Sequence, residues 1–254
     1  MRKKISIKED ANPYAPKDHA DDDILNHPDY KPQGLTQSHK DAIKDYTSTP
    51  SRDPYGHGSS ANMNGHLGYL EGHDDPQTDY SKPPPLHPIT QGIKHHHTET
   101  VRKSIRKLSS AFTPENTNKK TITLHGGIPK HIGMKLAASE KGSQFHLAGF
   151  TSTSEGEGIA RSYAEKYAIQ DGHQRTKHKI QYEAEPGTAL NVVGNTDFPT
   201  EREMILHHGA KVTYNGTDKR VNGAGETEYT HHLTVHNEHK PMEEYARYKP
   251  SSYE

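Results

Sequence analysis

Apolar residues are sparse at both ends of this chain and recur at regular spacing between them. Leu35, Ala42, Ile43 and Tyr46 share one helical face, and Thr36 stands where a helix cap belongs. A second short amphipathic piece carries Met63, Leu67 and Leu70. Val101, Ile105, Leu108 and Phe112 follow an i, i+4, i+7, i+11 pattern that predicts a helix. Thr121 to His125 alternates as a strand and is expected to stop at Gly126-Gly127. Residues 130–141 read as a helix with Ile132, Leu136 and Ala137 inward. A strand from His146 is expected to end in Thr151-Ser152-Thr153-Ser154. The next helix, Gly158 to Ala168, sets Ile159, Ala160, Tyr163, Ala164 and Tyr167 on one side. Further strands are predicted at 178–184, 189–193, 203–206, 210–214 and 229–236, with turns at Pro186-Gly187, Asn215-Gly216 and Gly223-Ala224-Gly225.

Helices crowd the first half of this patterned region and strands the second. That segregation predicts an α+β fold with a largely antiparallel sheet, not a βαβ repeat. Neither a G-x-G-x-x-G after a strand nor a P-loop is present.

Composition changes the picture at the ends and in one internal stretch. Only 28% of the 254 residues are hydrophobic, well under the roughly 45–50% apolar share of ordinary globular chains. Residues 1–33, with Asp21-Asp22-Asp23 and four prolines, are expected to form an extended arm; residues 72–98 a Pro/His-rich loop insertion; residues 238–254 a polar tail. The domain proper is expected over 34–237.

The net charge of −1 gives no global attraction to nucleic acid or to anionic membranes, so neither is expected as a partner. The absence of cysteine excludes disulfides, thiolate catalysis and cysteine-held zinc. Met1-Arg2-Lys3-Lys4-Ile5 is basic, but no apolar run follows it, and no run approaches the ~18 residues of a membrane span. A soluble protein without classical export is the expectation. The 21 histidines include His95-His96-His97, His207-His208 and His231-His232. Adjacent histidines on a strand point to opposite faces and chelate poorly, so no metal site is expected.

The candidate chemistry centres on Phe198-Pro199-Thr200-Glu201-Arg202-Glu203. If a strand begins here, period-two alternation sends Glu201 and Glu203 to the same face. Two carboxylates held close raise each other's pKa and suggest either a nearby cation or a task.

Three motifs then fall in order along the chain: Leu124-His125-Gly126-Gly127 at a strand end, Gly149-Phe150-Thr151-Ser152-Thr153-Ser154 on a second strand before a helix, and the Glu201-Arg202-Glu203 segment. In this order they resemble the mono-ADP-ribosyltransferases of the Arg–Ser-Thr-Ser–Glu-x-Glu class, over roughly residues 33–237. Within that class the chain looks most like the Alt-like enzymes packaged in the heads of tailed phages. The resemblance implies a fold of N-terminal helices packed on a mixed, mainly antiparallel, two-sheet β-sandwich, NAD as substrate, and a target protein with an acceptor arginine as partner. It also implies action in a host cytoplasm after delivery from a virion.

Site residues follow by the same resemblance. Glu203 stabilises the oxocarbenium-like ribose, Ser152 orients Glu203, and Glu201 faces the acceptor. His125, Gly126, Ser152, Thr153 and Ser154 contact NAD, and Phe198 touches the target protein; apart from the resemblance, Arg175 in the polar loop 170–177 is expected to contact the pyrophosphate. One departure stands out: the family's first motif is normally Arg-Gly, and here it is His125-Gly126. A histidine lacks the bidentate fork of an arginine. The alternative is therefore a degenerate transferase fold serving as a structural or binding module.

Overall fold

The computed structural model describes residues 34–47, 60, 63–64, 98–170, 172–173, 175–192, 196 and 202–240. The arm, nearly all of the Pro/His-rich loop and most of the tail lie outside the described residues. In chain order the elements are α1 (Gln37–Thr47), α2 (Thr98–Ser109), β1 (Ile122–Ile128), α3 (Lys130–Ala137), β2 (Gln144–His146), β3 (Thr151–Ser154), α4 (Glu157–Gln170), β4 (Thr176–Ala184), β5 (Ala189–Asn191), β6 (Glu203–Leu206), β7 (Ala210–Val221) and β8 (Thr227–His239). Thr36 caps α1 as the sequence suggests: its Oγ1 accepts the backbone N–H of His39 at 3.2 Å.

All eight strands form one hydrogen-bonded sheet, ordered β2-β7-β8-β4-β1-β3-β6-β5. Only β4 and β8 pair in parallel; the other neighbours are antiparallel. The two sheets expected from the resemblance are thus one, and chain connectivity explains why it still has two layers. β6 and β7 stand five places apart in the sheet, a gap of about 24 Å if the sheet were flat. The link from Leu206 to Ala210 spans at most about 15 Å. The sheet must therefore double over, and it does: the rings of His207, just after β6, and His239, at the end of β8, lie 4.5 Å apart.

The doubling creates two cores. Leu124, Tyr182, Met204, Leu206, Val212 and Leu233 fill the space between the folded halves. Ile43, Tyr46, Val101, Ile105 and Leu108 from α1 and α2 pack against Phe150 and Ile205 on the outer face. Strand alternation sorts β6 between them: Met204 and Leu206 go to the inner core, Glu203 and Ile205 to the helix side.

Four local expectations change. The strand expected over 210–214 does not turn at Asn215-Gly216 but continues as β7 to Val221, with a register shift between Tyr214 and Gly216. β1 does not stop at Gly126-Gly127 but runs to Ile128, because α4 lies directly over Gly127. A Cβ there would sit 2.3 Å from the Ala164 nitrogen and 2.6 Å from the Ala160 oxygen. α3 buries Gly133 and Leu136, leaving Ile132 and Ala137 exposed. Its rotation is set by His178, whose ring would meet any Cβ on Gly133. The His146-to-Ser154 strand is two, β2 and β3, on different parts of the sheet.

Candidate active site

The two halves of the sheet join at β1 and β3 through a single registered pair, His125 opposite Ser154. Ser154 in turn stands opposite Glu203 on β6. Directly opposed residues of antiparallel strands project to the same side, so His125, Ser154 and Glu203 form a row across three strands. α4 covers this face beyond Gly127, and α1 covers it beyond Ile205. Between the two helices a cleft of about 390 Å³ opens over the row, within the range of roughly 300–1,000 Å³ usual for small-molecule sites.

The cleft brings together His125, Gly126, Ser152, Thr153, Ser154 and Glu203. Arg175 does not line it; that residue is exposed on the turn before β4, where its carbonyl accepts Thr227 N–H at 2.8 Å. Glu201 and Phe198 lie outside the described residues. Arg202, just before Glu203, has φ of +46°. The strand therefore begins at Glu203.

Each hydroxyl of the Ser-Thr-Ser strand has its own surroundings. Thr153 is buried and donates to the Met204 carbonyl at 2.8 Å, fastening β3 to β6. Ser154 Oγ accepts the Gly156 N–H at 3.0 Å, shaping the turn into α4. Ser152 is exposed and lines the cleft, and the Tyr46 phenol donates to the Phe150 carbonyl at 2.9 Å just before this strand. Glu203 is only 8% exposed, and its charge is felt at Tyr46. A carboxylate held in so dry a place interacts strongly with any charge that develops beside it.

His125 is half-buried, and burial is the main cause that lowers its pKa below the usual histidine value. Lys179 pushes the same way and Glu157 opposes it. His125 therefore enters the cleft as a neutral imidazole, with one N–H to donate and no charge to offer a phosphate. The nearby ions neutralise one another: Lys179, 4% exposed in its side chain, lies 2.6 Å from Glu157 and 2.9 Å from Glu228.

The sequence pattern missed two groups of cleft residues. Tyr46 was assigned only to a helix face, yet it lines the cleft. Tyr163 and Lys166, on α4, line the cleft too, and Lys166 is the only lysine or arginine among the described residues that do. Its amine stands 6.0 Å from the Tyr163 ring centroid. The spacing Ala160, Tyr163, Lys166, Tyr167 marks one stripe of α4 above Gly127, and this was the available signal. Among the described residues no group of three His, Asp or Glu could hold a metal ion, and no helix is long and apolar enough to cross a membrane.

A hydroxyl-bearing strand and a nearly buried glutamate thus face one cleft at the fold line of the sheet. The profile of the ADP-ribosyltransferase exoenzymes matches residues 25–238. The chain belongs to this family, whose members transfer ADP-ribose from NAD. Solved structures with the same fold include Plx2a, an ADP-ribosyltransferase toxin from Paenibacillus larvae. It is 17% identical, covering 80% of this chain and 88% of that one, with a TM-score of 0.51. The Clostridium limosum C3 exoenzyme is 16% identical over 82% and 90%, with a TM-score of 0.53. C3stau2 from S. aureus, solved with NAD, is 13% identical over 85% and 92%, also at 0.53. No curated protein sequence matches.

Proposed function

We propose that this protein is an NAD-dependent mono-ADP-ribosyltransferase that modifies arginine on a target protein. The observation that carries the proposal is Glu203, buried in the wall of the cleft, opposite Ser154 and in line with His125. In the reaction the bond between ribose and nicotinamide breaks, and nicotinamide leaves with the bonding electrons. The acceptor nitrogen then bonds to the same ribose carbon and loses a proton. The positive charge that builds on the ribose needs a fixed carboxylate, and Glu203 supplies it.

Ser152 orients Glu203, and the N–H of neutral His125 donates to a ribose hydroxyl. Lys166 supplies the cation for the pyrophosphate that His125 cannot, and Tyr163 offers a ring face to a base. Thr153 and Ser154 keep the strand under the substrate. Glu201 pairs with the acceptor guanidinium and takes its proton, and Phe198 touches the target. The ADP-ribosyltransferase Vis has been solved with agmatine, a small guanidinium compound, which supports an arginine-like acceptor for this chain. The setting we favour is a host cytoplasm reached from a phage virion, as the Alt-like resemblance suggests.

The test is to incubate purified protein with radiolabelled NAD and a cell lysate, then find the modified residue by mass spectrometry. Glu203→Gln should lower labelling by about a thousandfold with the fold intact. Labelling that does not depend on Glu203 would end the proposal. The neutral charge state of His125 favours a second reading, a transferase fold kept as a binding module; no heat on titrating NAD at millimolar concentration would support it.

A further inference from the structure

His178 on β4 and His231 on β8 line no part of the cleft, and both are almost wholly buried, at 1% and 0% exposure. Strand register brings them together: His178 stands opposite Tyr229, and its neighbour Ile180 opposite His231. The His178 ring stacks within 7° of Tyr229 at 4.8 Å and within 2° of His231 at 5.4 Å. The two imidazoles share one hydrogen bond, between His178 Nδ1 and His231 Nε2 at 3.1 Å. Beyond it His231 Nδ1 meets Thr217 Oγ1 at 2.6 Å, and Thr217 Oγ1 meets the Tyr214 phenol at 2.6 Å. At the other end of this row His178 Nε2 is buried and has no hydrogen-bond partner.

No choice of tautomer repairs that end. If His178 donates from Nδ1, its Nε2 is a lone pair without a donor. If His231 donates instead, the His178 hydrogen sits on Nε2 without an acceptor. Buried polar groups are nearly always paired, so the closed fold leaves a demand unmet here. The element that closes it is α3. Gly133 lies on the His178 ring: a Cβ there would stand 2.5 Å from the histidine Cγ and 2.9 Å from its Cβ. Leu136 is the other buried residue of α3 and packs on the inner core. α3 has eight residues and no side-chain cap at its N-terminus, and a helix so short is not stable by itself.

The surroundings do not favour a proton on the closed pair. Burial is the main cause that lowers the pKa of His178, and Lys130 of α3 pushes the same way; His232 of β8 does so at His231. β7 contributes Tyr214 and Lys219, whose amine is 5.8 Å from the Tyr229 ring, and β1 sets Ile128 opposite His178. Asp218 of β7 bonds His232 at 3.1 Å, and none of the hydrogen bonds of the pair goes to a carboxylate.

We propose that α3 is a proton-operated latch, closed over neutral His178 and lifted when that imidazole takes up a proton, which bares Leu136 and the inner core beneath it. Opening gives Nε2 access to water at any pH. In acid it also lets the ring carry a charge that the buried site does not accept. With the open ring at its ordinary pKa of ~6.5, the open fraction rises about eightfold from pH 7 to pH 5.5.

The experiment is hydrogen exchange of the full chain at pH 7 and pH 5.5, read by mass spectrometry and corrected for the intrinsic pH dependence of amide exchange. The amides of α3 should gain about eightfold in open fraction while those of the β4–β8 ladder stay protected. His178→Phe keeps a ring between Tyr229 and His231 but cannot titrate, and there the gain at α3 should shrink to under about twofold. If that variant does not fold, Gly133→Ala decides: the added methyl pushes α3 off the ring, so α3 should exchange fast already at pH 7 and gain little more in acid. The proposal is overturned if α3 in the parent gains nothing, if α3 and the ladder lose protection together, if the gain persists in His178→Phe, or if Gly133→Ala protects α3 as well as the parent does.

Discussion

The seam between β1 and β3 and the hairpin of β7 and β8 are opposite solutions within one sheet. At the seam a single registered pair, His125 with Ser154, joins the halves. In the hairpin the ladder runs from Ala210–His239 out to Val221–Thr227. Where the ladder is thin the sheet can double over, and its strands leave room between α1 and α4 for a cleft. The long hairpin ladder shifts register twice, and the pocket at its base is smaller, about 140 Å³. The difference teaches that this fold places its chemistry where backbone pairing is least, and holds it with side chains: Thr153 on Met204, Tyr46 and Asn64 on Phe150, Lys179 on Glu157.

The largest way to disturb both regions at once is acid. His231 is wholly buried on β8, its pKa lowered to about 4, chiefly by burial and then by neighbouring His178 and His232. His207 and His208, in the link from β6 to β7, are lowered by burial to about 4 and about 3. Such residues stay neutral in the fold, while the unfolded chain takes up protons near its ordinary pKa of ~6.5. The stability they contribute is complete above about pH 6.5 and drains away as the pH falls toward 4. Melting followed by circular dichroism should show a loss of several kcal/mol between pH 7 and pH 5. A flat melting temperature would mean these imidazoles are not held neutral. Because the groups lie on the hairpin and the link rather than at the seam, the loss should be the same in Glu203→Gln.

Gly127→Ala should cost about 3 kcal/mol, since the added carbon meets the backbone of α4, which cannot swing away as a side chain can. It should also raise KM for NAD, because α4 carries Tyr163 and Lys166. Chemical denaturation and steady-state kinetics check the two effects. Lys179→Met should cost less, about 2 kcal/mol: Glu228 loses a buried partner, while Glu157 reaches water. Here too the denaturant midpoint is the measurement.

Much of this was legible in the sequence, for reasons that differ by residue. The Thr36 cap and the Ala42, Ile43 and Tyr46 stripe were readable because helix caps and amphipathic spacing are local signals. Glu203 was readable because it starts an apolar run that could only be a buried strand. Gly127 misled, because a glycine that ends a strand and one that admits a helix look alike in sequence. Lys166 was hidden because a lysine on a helix is ordinarily solvated, and only the close approach of α4 turns it toward a cleft. The doubling of the sheet was hidden most deeply. It depends on β6 and β7 being five places apart, a fact of pairing between residues far apart in sequence.

The smallest predicted effect sharpens the contrast between two glycines. Gly225, at the tip of the β7–β8 hairpin, has φ of +74°, and a Cβ there would meet nothing within 4 Å. Its difficulty is conformational alone, where that of Gly127 is steric. The tip is otherwise held by Asn222, whose Oδ1 accepts the N–H of Ala224 at 3.0 Å and of Glu226 at 2.9 Å. Gly225→Ala should therefore cost about 1 kcal/mol, the strain of a left-handed residue with a side chain. No residue of the tip lines the cleft, so nicotinamide release should be unchanged in kcat and KM. A kinetic effect from Gly225→Ala would show that the hairpin and the seam are mechanically coupled, and that the separation of scaffold from site drawn from their ladders is wrong.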